Sequence, residues 1–372
     1  MKEGDYEGSD YCSTQNSESL DRREFIQVVG GGIFIFATLG HGVGFGQRRR
    51  RGEKRPDFNT LVQIGEDGQV TCLVGKIEMG QGPITSLAQM LADELDVAFE
   101  SVNMLMGDTA LCPYDAGTWG STTTPQCGPV VRAAGAEARA VLIELAAEHL
   151  DVPKERLTAS EGMIFDKNSR DRRVTYASLA KGKRIERFLK LDPDLKTPEE
   201  FKIIGKPHNR VDAIEKVTGK AKYTGDITLP GMLCASVLRP PSHGATLESV
   251  DTSAAEKIEG IQTIRDGDLV AVLHEKPDVA EQAIAKVKAD WNVAKPEFND
   301  KTVFKYLIDN AGEGDAGGSA GDIAAGTKLA TTVVEGEYLD GYVAHAPIET
   351  HTALAKFEDD RLTAWVSTQT PF

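Results

Sequence analysis

Apolar positions come first in pairs of short runs. "TLVQIGEDGQVTCLVG" (60–75) has two strand-like stretches joined by a turn carrying Asp67-Gly68, the signature of a β-hairpin. From Ser86 the period changes to that of a helix. Leu87, Met90, Leu91 and Leu95 share one face, and Ser86 with Gln89 forms a candidate capping box. "SVNMLMGD" (101–108) reads as a strand. "CPYDAGTWGSTTTPQCG" (112–128) is a polar, glycine-rich loop, long enough to suggest function. An alanine-rich helix is expected from Val130 to Leu150. A charged, extended connector spans 190–212.

The second part of the chain, 214–300, carries strands near Leu233–Leu238 and Leu269–Leu273 and a helix from Pro277. In that helix Ala280, Ala283, Ile284, Val287 and Trp291 continue one buried stripe. "GEGDAGGSAGDIAAG" (312–326) has linker composition. Beyond it, "TTVVEGEYLD" and "TALAKFEDDRLTAWVSTQ" read as strands, separated by the polar loop "GYVAHAPIETH". Hairpins and helices mixed in this way predict an α+β fold.

The N-terminus has a different character. "SLDRREFIQVVGGGIFIFATLGHGVGFG" pairs Arg22-Arg23 with Phe25-Ile26 and a glycine-diluted apolar run from Ile26 to Phe45. It is similar to a twin-arginine export signal. The run is too weakly apolar for a transmembrane helix, which needs about 20 strongly apolar residues. Export by this route, with a periplasmic location or an N-terminal membrane anchor, is the expectation. Proteins sent this way often acquire a complex cofactor first.

Charge narrows the partners. Residues 1–55 carry 9 Lys/Arg against 8 Asp/Glu, leaving 33 against 49 for the rest of the 372-residue chain. So acidic a body repels a phosphate backbone, and no nucleic-acid partner is expected. The five cysteines (Cys12, Cys72, Cys112, Cys127, Cys234) show no CxxC and no histidine at zinc spacing. They read as small buried hydrophobes, with one or two disulfides as the alternative in an exported chain.

Three loops gather polar groups. In "EMGQG", Gly80 and Gly82 flank Gln81; the glycines admit a ligand to the backbone, and the amide both donates and accepts. A Gly-x-Gly turn without a ligand is the plainer reading. "GSTTTPQCG" supplies Gly120 and the hydroxyls of Ser121, Thr122, Thr123 and Thr124 ahead of a helix, a reasonable phosphate or pterin cradle. It has no P-loop lysine, and no GxGxxG occurs, so ATP and NAD are not expected. "AHAPIETHTALA" brings His345, Glu349 and His351 together without a zinc or hydrolase signature.

The order of these segments is more telling than any one of them. "KIEMGQGPITSLAQMLADELDV", "GTWGSTTTPQCGPVVRAAGAEAR", "DAIEKVTGKAKYTGDITLPGMLCASVLRPPSHGATLESVD" and "YVAHAPIETHTALAKFEDDRLTAWVSTQTP" follow one another. In this order they closely resemble the molybdenum-binding large subunit of the xanthine dehydrogenase/aldehyde oxidase family, and within it the isoquinoline 1-oxidoreductase beta-subunit type. The resemblance implies a signal and basic linker over 1–55, the N-terminal part of a molybdopterin-binding region over 56–205, and an α/β hammerhead domain over 206–311. A linker at 312–330 and the start of the main molybdopterin-binding domain at 331–372 complete the expected layout.

By the same resemblance Gln81 contacts the pterin, Gly80 and Gly82 admit its rings, and Gly120, Ser121, Thr122 and Thr123 line the pterin or its phosphate. Gln369 would hydrogen-bond an oxo ligand of the metal, and Glu349 would lie near the approach to it. No side chain of this chain is expected to ligate the metal. The resemblance implies a molybdenum–pterin cofactor, expected in its cytosine dinucleotide form.

The implied reaction is hydroxylation of an aldehyde or an N-heterocycle with water-derived oxygen. Electrons would leave to a small [2Fe–2S] subunit, with a cytochrome c as a further acceptor. The family's GGGFGG and GxGE loops do not occur in this sequence. The general-base glutamate is therefore expected beyond Phe372, the chain is read as the N-terminal half of the subunit, and alone it is expected not to be a competent enzyme. The competing reading is an exported binding or scaffold protein that keeps the fold without the cofactor. An exported α+β hydrolase is a third, disfavoured for want of a nucleophile motif.

Overall fold

The computed structural model describes residues 31–37, 58, 60–189, 193–314, 318, 320–344, 346–348 and 350–372. Helices and sheets are mixed within it, an α+β fold. The chain forms two compact units, residues 226–350 and the remainder.

The larger unit is built on a five-stranded sheet with strands β1 (Gly32–Ala37), β2 (Thr60–Ile64), β3 (Val70–Val74), β4 (Val102–Met106) and β8 (Arg184–Phe188), in the order β4-β3-β2-β1-β8. The expected hairpin is present: β2 and β3 pair antiparallel, from Thr60↔Val74 to Ile64↔Val70. Asp67 Oδ1 accepts the Gln69 N–H at 2.9 Å and holds the turn. β3 and β4 run parallel and are linked through helix α1 (Pro83–Leu95).

Side chains alternate across this sheet, and each face has its own core. One face carries Ile33, Ile35, Val62, Ile64, Val70, Cys72 and Val74. These pack with Leu87, Leu91 and Leu95 of α1 and with Val131, Ala134, Ala138 and Leu142 of helix α2 (Gly128–Leu150). The other face carries Phe34, Phe36, Leu61 and Leu73 with Cys112. Each large apolar side chain so buried contributes about 1.5–3 kcal/mol.

Helix α1 begins earlier than its apolar period indicates. Gly82 is its N-cap, with φ +90°, and Pro83 opens its first turn. Ser86 therefore makes no capping box; its Oγ donates to Pro83 O at 3.4 Å. Proline fixes φ at a helical value and needs no N–H partner there, so the start falls at the proline. Three further strands, β5 (Leu157–Ser160), β6 (Met163–Asp166) and β7 (Ser169–Thr175), form a separate sheet that the sequence pattern does not announce. Helix α3 (Tyr176–Ala180) follows, and the buried Tyr176 hydroxyl donates to Leu95 O at 2.6 Å.

The connector after residue 193 is a strap laid along α1. Asp93, 1% exposed, accepts the N–H groups of Lys202, Ile203 and Ile204 at 2.9–3.2 Å. Glu94, fully buried, accepts from Arg132 Nε at 2.8 Å and from Lys196 N at 3.2 Å. Gln89 Nε2 donates to Ile203 O and Lys206 O, both at 3.1 Å. Buried carboxylates are tolerated here because backbone and guanidinium donors surround them.

In the smaller unit β9 (Cys234–Val237), β11 (Gln262–Asp266) and β12 (Leu269–His274) form one sheet, and β10 (Thr246–Asp251) pairs with β13 (Lys288–Asn292). The helix from Pro277 ends at Ile284, short of the expected stripe, because the chain turns at Lys286-Val287. Trp291 instead lies in β13 opposite Leu247. Its helical spacing from Ala280 is coincidental. A short exposed helix, Ile323–Leu329, begins at the end of the glycine-rich stretch and runs past it.

"TTVVEGEYLD" forms no strand among the described residues, and Val334 and Tyr338 are 87% and 93% exposed. A strand needs a partner for its backbone, and propensity alone cannot supply one. The chain re-enters the larger unit as a hairpin, β14 (Ala353–Glu358) and β15 (Arg361–Val366). Its two turn residues, Asp359 and Asp360, both have positive φ.

The apolar run expected to serve an export signal falls partly on described residues. Its segment 32–37 is β1, an interior strand of the main sheet. Arg22-Arg23, and the export expectation with them, lie outside the described residues, as does Cys12. The other four cysteines are free thiols, with Cys72, Cys112 and Cys127 buried.

Candidate functional site

Strand β3 delivers the chain to Gly75, where three stretches distant in sequence meet. A Cβ at this glycine would lie 2.5 Å from the Asp115 Cβ, 2.6 Å from Pro113 O and 2.9 Å from the Phe372 ring. Only glycine permits that approach. The next residue, Lys76, is buried. Its Nζ donates to Asp115 Oδ1 at 2.8 Å and to Gly117 O at 2.7 Å. Asp115 Oδ1 also accepts the Gly117 N–H at 2.8 Å. Ile77 N then donates to Thr118 Oγ1 at 2.9 Å, so the two loops are stitched at three consecutive points.

Gln369 closes the site from the C-terminal side. Thr118 N donates to Gln369 O at 2.9 Å, and Gln369 Nε2 donates to Thr118 O at 2.8 Å. Tyr114 and Phe372 meet edge to face, 5.6 Å between ring centres. The loops carrying Gln81 and Gly120–Thr123 and the segment carrying Gln369 are thus physically joined through residues 75–77 and 115–118.

The loop around Gln81 is held by Glu78, which sequence reasoning passed over. Its carboxylate accepts from Gly80 N at 2.7 Å, Gly82 N at 3.1 Å and Ile84 N at 3.2 Å, capping α1 from outside the helix. Arg210, at the end of the strap, donates to Gly80 O at 2.6 Å and sits 3.3 Å from Glu78 Oε1. Arg210 is gripped in turn by Asp212, whose carboxyl is held well below the usual range by hydrogen bonds from Arg210 and then Lys216. Glu78 lies 132 residues before Arg210 and its partner Asp212, and no local pattern connects them.

Gln81 is exposed, and its amide folds back on its own loop: Oε1 accepts from Met79 N at 2.6 Å and Nε2 donates to Ile77 O at 3.0 Å. Gly80 has φ +102°, and a Cβ there would meet nothing within 4 Å. The backbone therefore presents an open face. In the second loop Gly120 and Ser121 are consecutive left-handed residues, φ +62° and +56°. A serine in that region is strained, a feature that clusters at ligand loops. Thr122 Oγ1 donates to Trp119 O at 2.8 Å, and Thr123 is buried at the start of a π-turn, Thr123–Cys127, that runs into α2. Glu349 and His345 lie outside the described residues.

These residues fit a flat heterocycle with polar edges and an anionic tail. The open glycine face admits a ring, and the exposed carboxamide can serve its edge. The positive end of the helical run from Thr123 through α2 suits an anion. The amide nitrogens of Gln81 and Gln369 each spend one N–H on backbone, and a carboxamide has two.

The family model described as "Molybdopterin cofactor-binding domain" matches residues 8–224, and a second model of the same description matches residues 309–372. The chain belongs to the molybdopterin cofactor-binding family. The expected kinship with molybdenum-binding subunits of the xanthine dehydrogenase family holds. The chain is 31% identical to a nicotinate dehydrogenase component of Pseudomonas putida, over 86% of this chain and 28% of that protein. It is 28% identical to the beta chain of isoquinoline 1-oxidoreductase of Brevundimonas diminuta, over 84% and 47%. A third relative, at 26% over 88% and 46%, is a membrane-bound aldehyde dehydrogenase of Gluconacetobacter polyoxogenes whose name carries pyrroloquinoline quinone. The chain spans less than half the length of each of these relatives.

Proposed function

We propose that this chain builds one wall of a molybdenum–pterin site in an oxidoreductase that hydroxylates an aldehyde or an N-heterocycle. The observation that supports it best is the meeting of three glycine- and hydroxyl-bearing segments at Gly75 and Thr118, on a chain whose family binds molybdopterin. When bound, the cofactor would supply two-electron oxidation of the substrate carbon with oxygen from water.

The chain's own residues bind and orient. Gly80 and Gly82 give a ring access to the backbone, and Gln81 offers its spare N–H and carbonyl to the ring edge. Gly120, Ser121, Thr122 and Thr123 cradle the pterin or its phosphate at the start of α2. Gln369 keeps one amide N–H for a polar ligand while it pins Thr118. Glu349 is a candidate neighbour of the same group. Lys76 and Asp115 hold the two loops in register, and Glu78 with Arg210 fixes the curvature of the first.

The general base is proposed to reside outside these 372 residues, and the electrons to pass to a small [2Fe–2S] subunit, then onward to a cytochrome c. A cytosine dinucleotide form of the cofactor and export through the twin-arginine route belong to the same reading. So does a hammerhead domain over 206–311.

Metal and cofactor analysis of the natively produced protein, isolated with whatever co-purifies, tests the proposal. Molybdenum and a pterin, with an iron–sulfur subunit, is the expected result. A quinone cofactor without molybdenum, or a clean protein with neither, would overturn it; the latter favours a binding or scaffold role.

A further inference from the structure

The apolar run after the arginine pair reads, in sequence, as the middle of an export signal. Its described part behaves as core. Ile33, Phe34 and Ile35 are fully buried, and Phe36 and Ala37 are 1% exposed. The strand is interior to the sheet. It pairs antiparallel with β2 from Ile33↔Ile64 to Ala37↔Thr60, and parallel with β8 from Gly32↔Arg184 to Phe36↔Phe188. Both backbone edges are used.

Both faces are used as well. Ile33 and Ile35 join the cluster under α1 and α2, whereas Phe34 and Phe36 join the opposite one. Phe36 packs edge-on to Phe58 at 4.9 Å and stacks with Phe188 at 5.2 Å. The pairing with β8 continues one residue past that strand: Leu189 N donates to Phe36 O at 2.8 Å.

The glycines before the strand are fitted to this position. Gly32 has φ +134°, its N–H donates to Lys183 O at 2.7 Å, and a Cβ there would lie 2.3 Å from Ile64 O. A Cβ on Gly31 would lie 2.2 Å from Glu66 Oε1. A removable leader needs no glycine that a downstream strand would exclude. Nor does it need side chains that alternate between two cores.

We propose that residues 32–37 are a permanent strand of the mature protein, so that any processing of this chain spares them. Taking β1 out would leave β8 with no partner in the sheet, free one edge of β2 and expose both cores. An apolar run so held cannot lie in a bilayer or an export receptor and in the sheet together.

Hydrogen exchange on the natively produced full chain, with intact-mass measurement, tests this without any variant. The expected result is a mature N-terminus at or before Gly31, with amides 33–37 exchanging roughly a thousandfold or more slower than in an unstructured peptide, alongside β2 and β3. A mature chain that begins after Ala37, or exchange over 33–37 at the free-peptide rate in the folded protein, overturns the proposal. Gly32→Val adds a second readout: a lowered unfolding temperature is expected, and an unchanged one counts against the strand. These results bear on the strand alone, whether or not the protein holds molybdenum.

Discussion

Gln369 holds Thr118 by two bonds at once, main-chain carbonyl to N–H and side-chain amide to carbonyl, across 251 residues of sequence. One residue near the end of the chain thereby copies one rung of a β-ladder onto a loop that leads to α2. Gln369→Ala removes only the side-chain half. A loss of about 1 kcal/mol in urea unfolding is expected, with faster amide exchange over 117–123. Unaltered exchange there would show that the main-chain bond suffices.

The pair Lys76–Asp115 should be the more costly one to break. Both side chains are about 5–6% exposed, and the N–O distance is 2.8 Å. Lys76→Met strands a buried carboxylate and is expected to cost about 3–5 kcal/mol. The double variant Lys76→Met/Asp115→Leu should recover part of that loss. Equal destabilisation in the single and the double would mean that Asp115 serves the Gly117 N–H more than it serves the lysine.

Asp93 makes a prediction about the strap. Its carboxylate caps three successive amides, Lys202 to Ile204. Asp93→Ala orphans them and should cost about 3 kcal/mol, while opening 193–206 to limited proteolysis. Because the strap ends at Arg210, which hooks Gly80 O, the Gln81 loop should loosen in the same variant. Cleavage confined to other segments would show that the strap is held without Asp93.

Thiol chemistry supplies a pH test. Burial pushes Cys112 and Cys127 from an ordinary 9.0 up to about 12, and burial also raises Cys72. A raised folded value means that the folded state keeps its proton longer than the unfolded chain does. The stability this gives is complete below pH 9 and is lost as pH climbs from 9 towards 12. The unfolding temperature should fall across that window, and less steeply in Cys127→Ala. Native protein at pH 8.5 should resist alkylation at these three positions, and rapid labelling would show that the core opens.

Much of this fold is written locally. The β2–β3 hairpin follows from alternation around Asp67-Gly68, α1 from its leucine spacing, and β14–β15 from the Asp359-Asp360 turn. The glycines around Gln81 and the hydroxyls at Ser121–Thr123 were also legible, since residue type alone announces an unusual backbone or a polar loop. What was misread shares one cause. Helical spacing ran on past Ile284 to Trp291 although the chain turns, and "TTVVEGEYLD" has strand composition but no neighbour to pair with. Local pattern states what a segment can form, and partners decide whether it does.

The sequence by itself determined the α+β class, the family, and the residue types offered to a cofactor. Only the tertiary structure decided that Gly75 is where Asp115, Pro113 and Phe372 converge, that Glu78 and Arg210 shape the Gln81 loop, and that Gly32–Ala37 is a core strand. The physical reason is range. Propensity and periodicity act over a few residues, whereas a buried ion pair or an interior strand is specified by groups that meet only when the chain has closed.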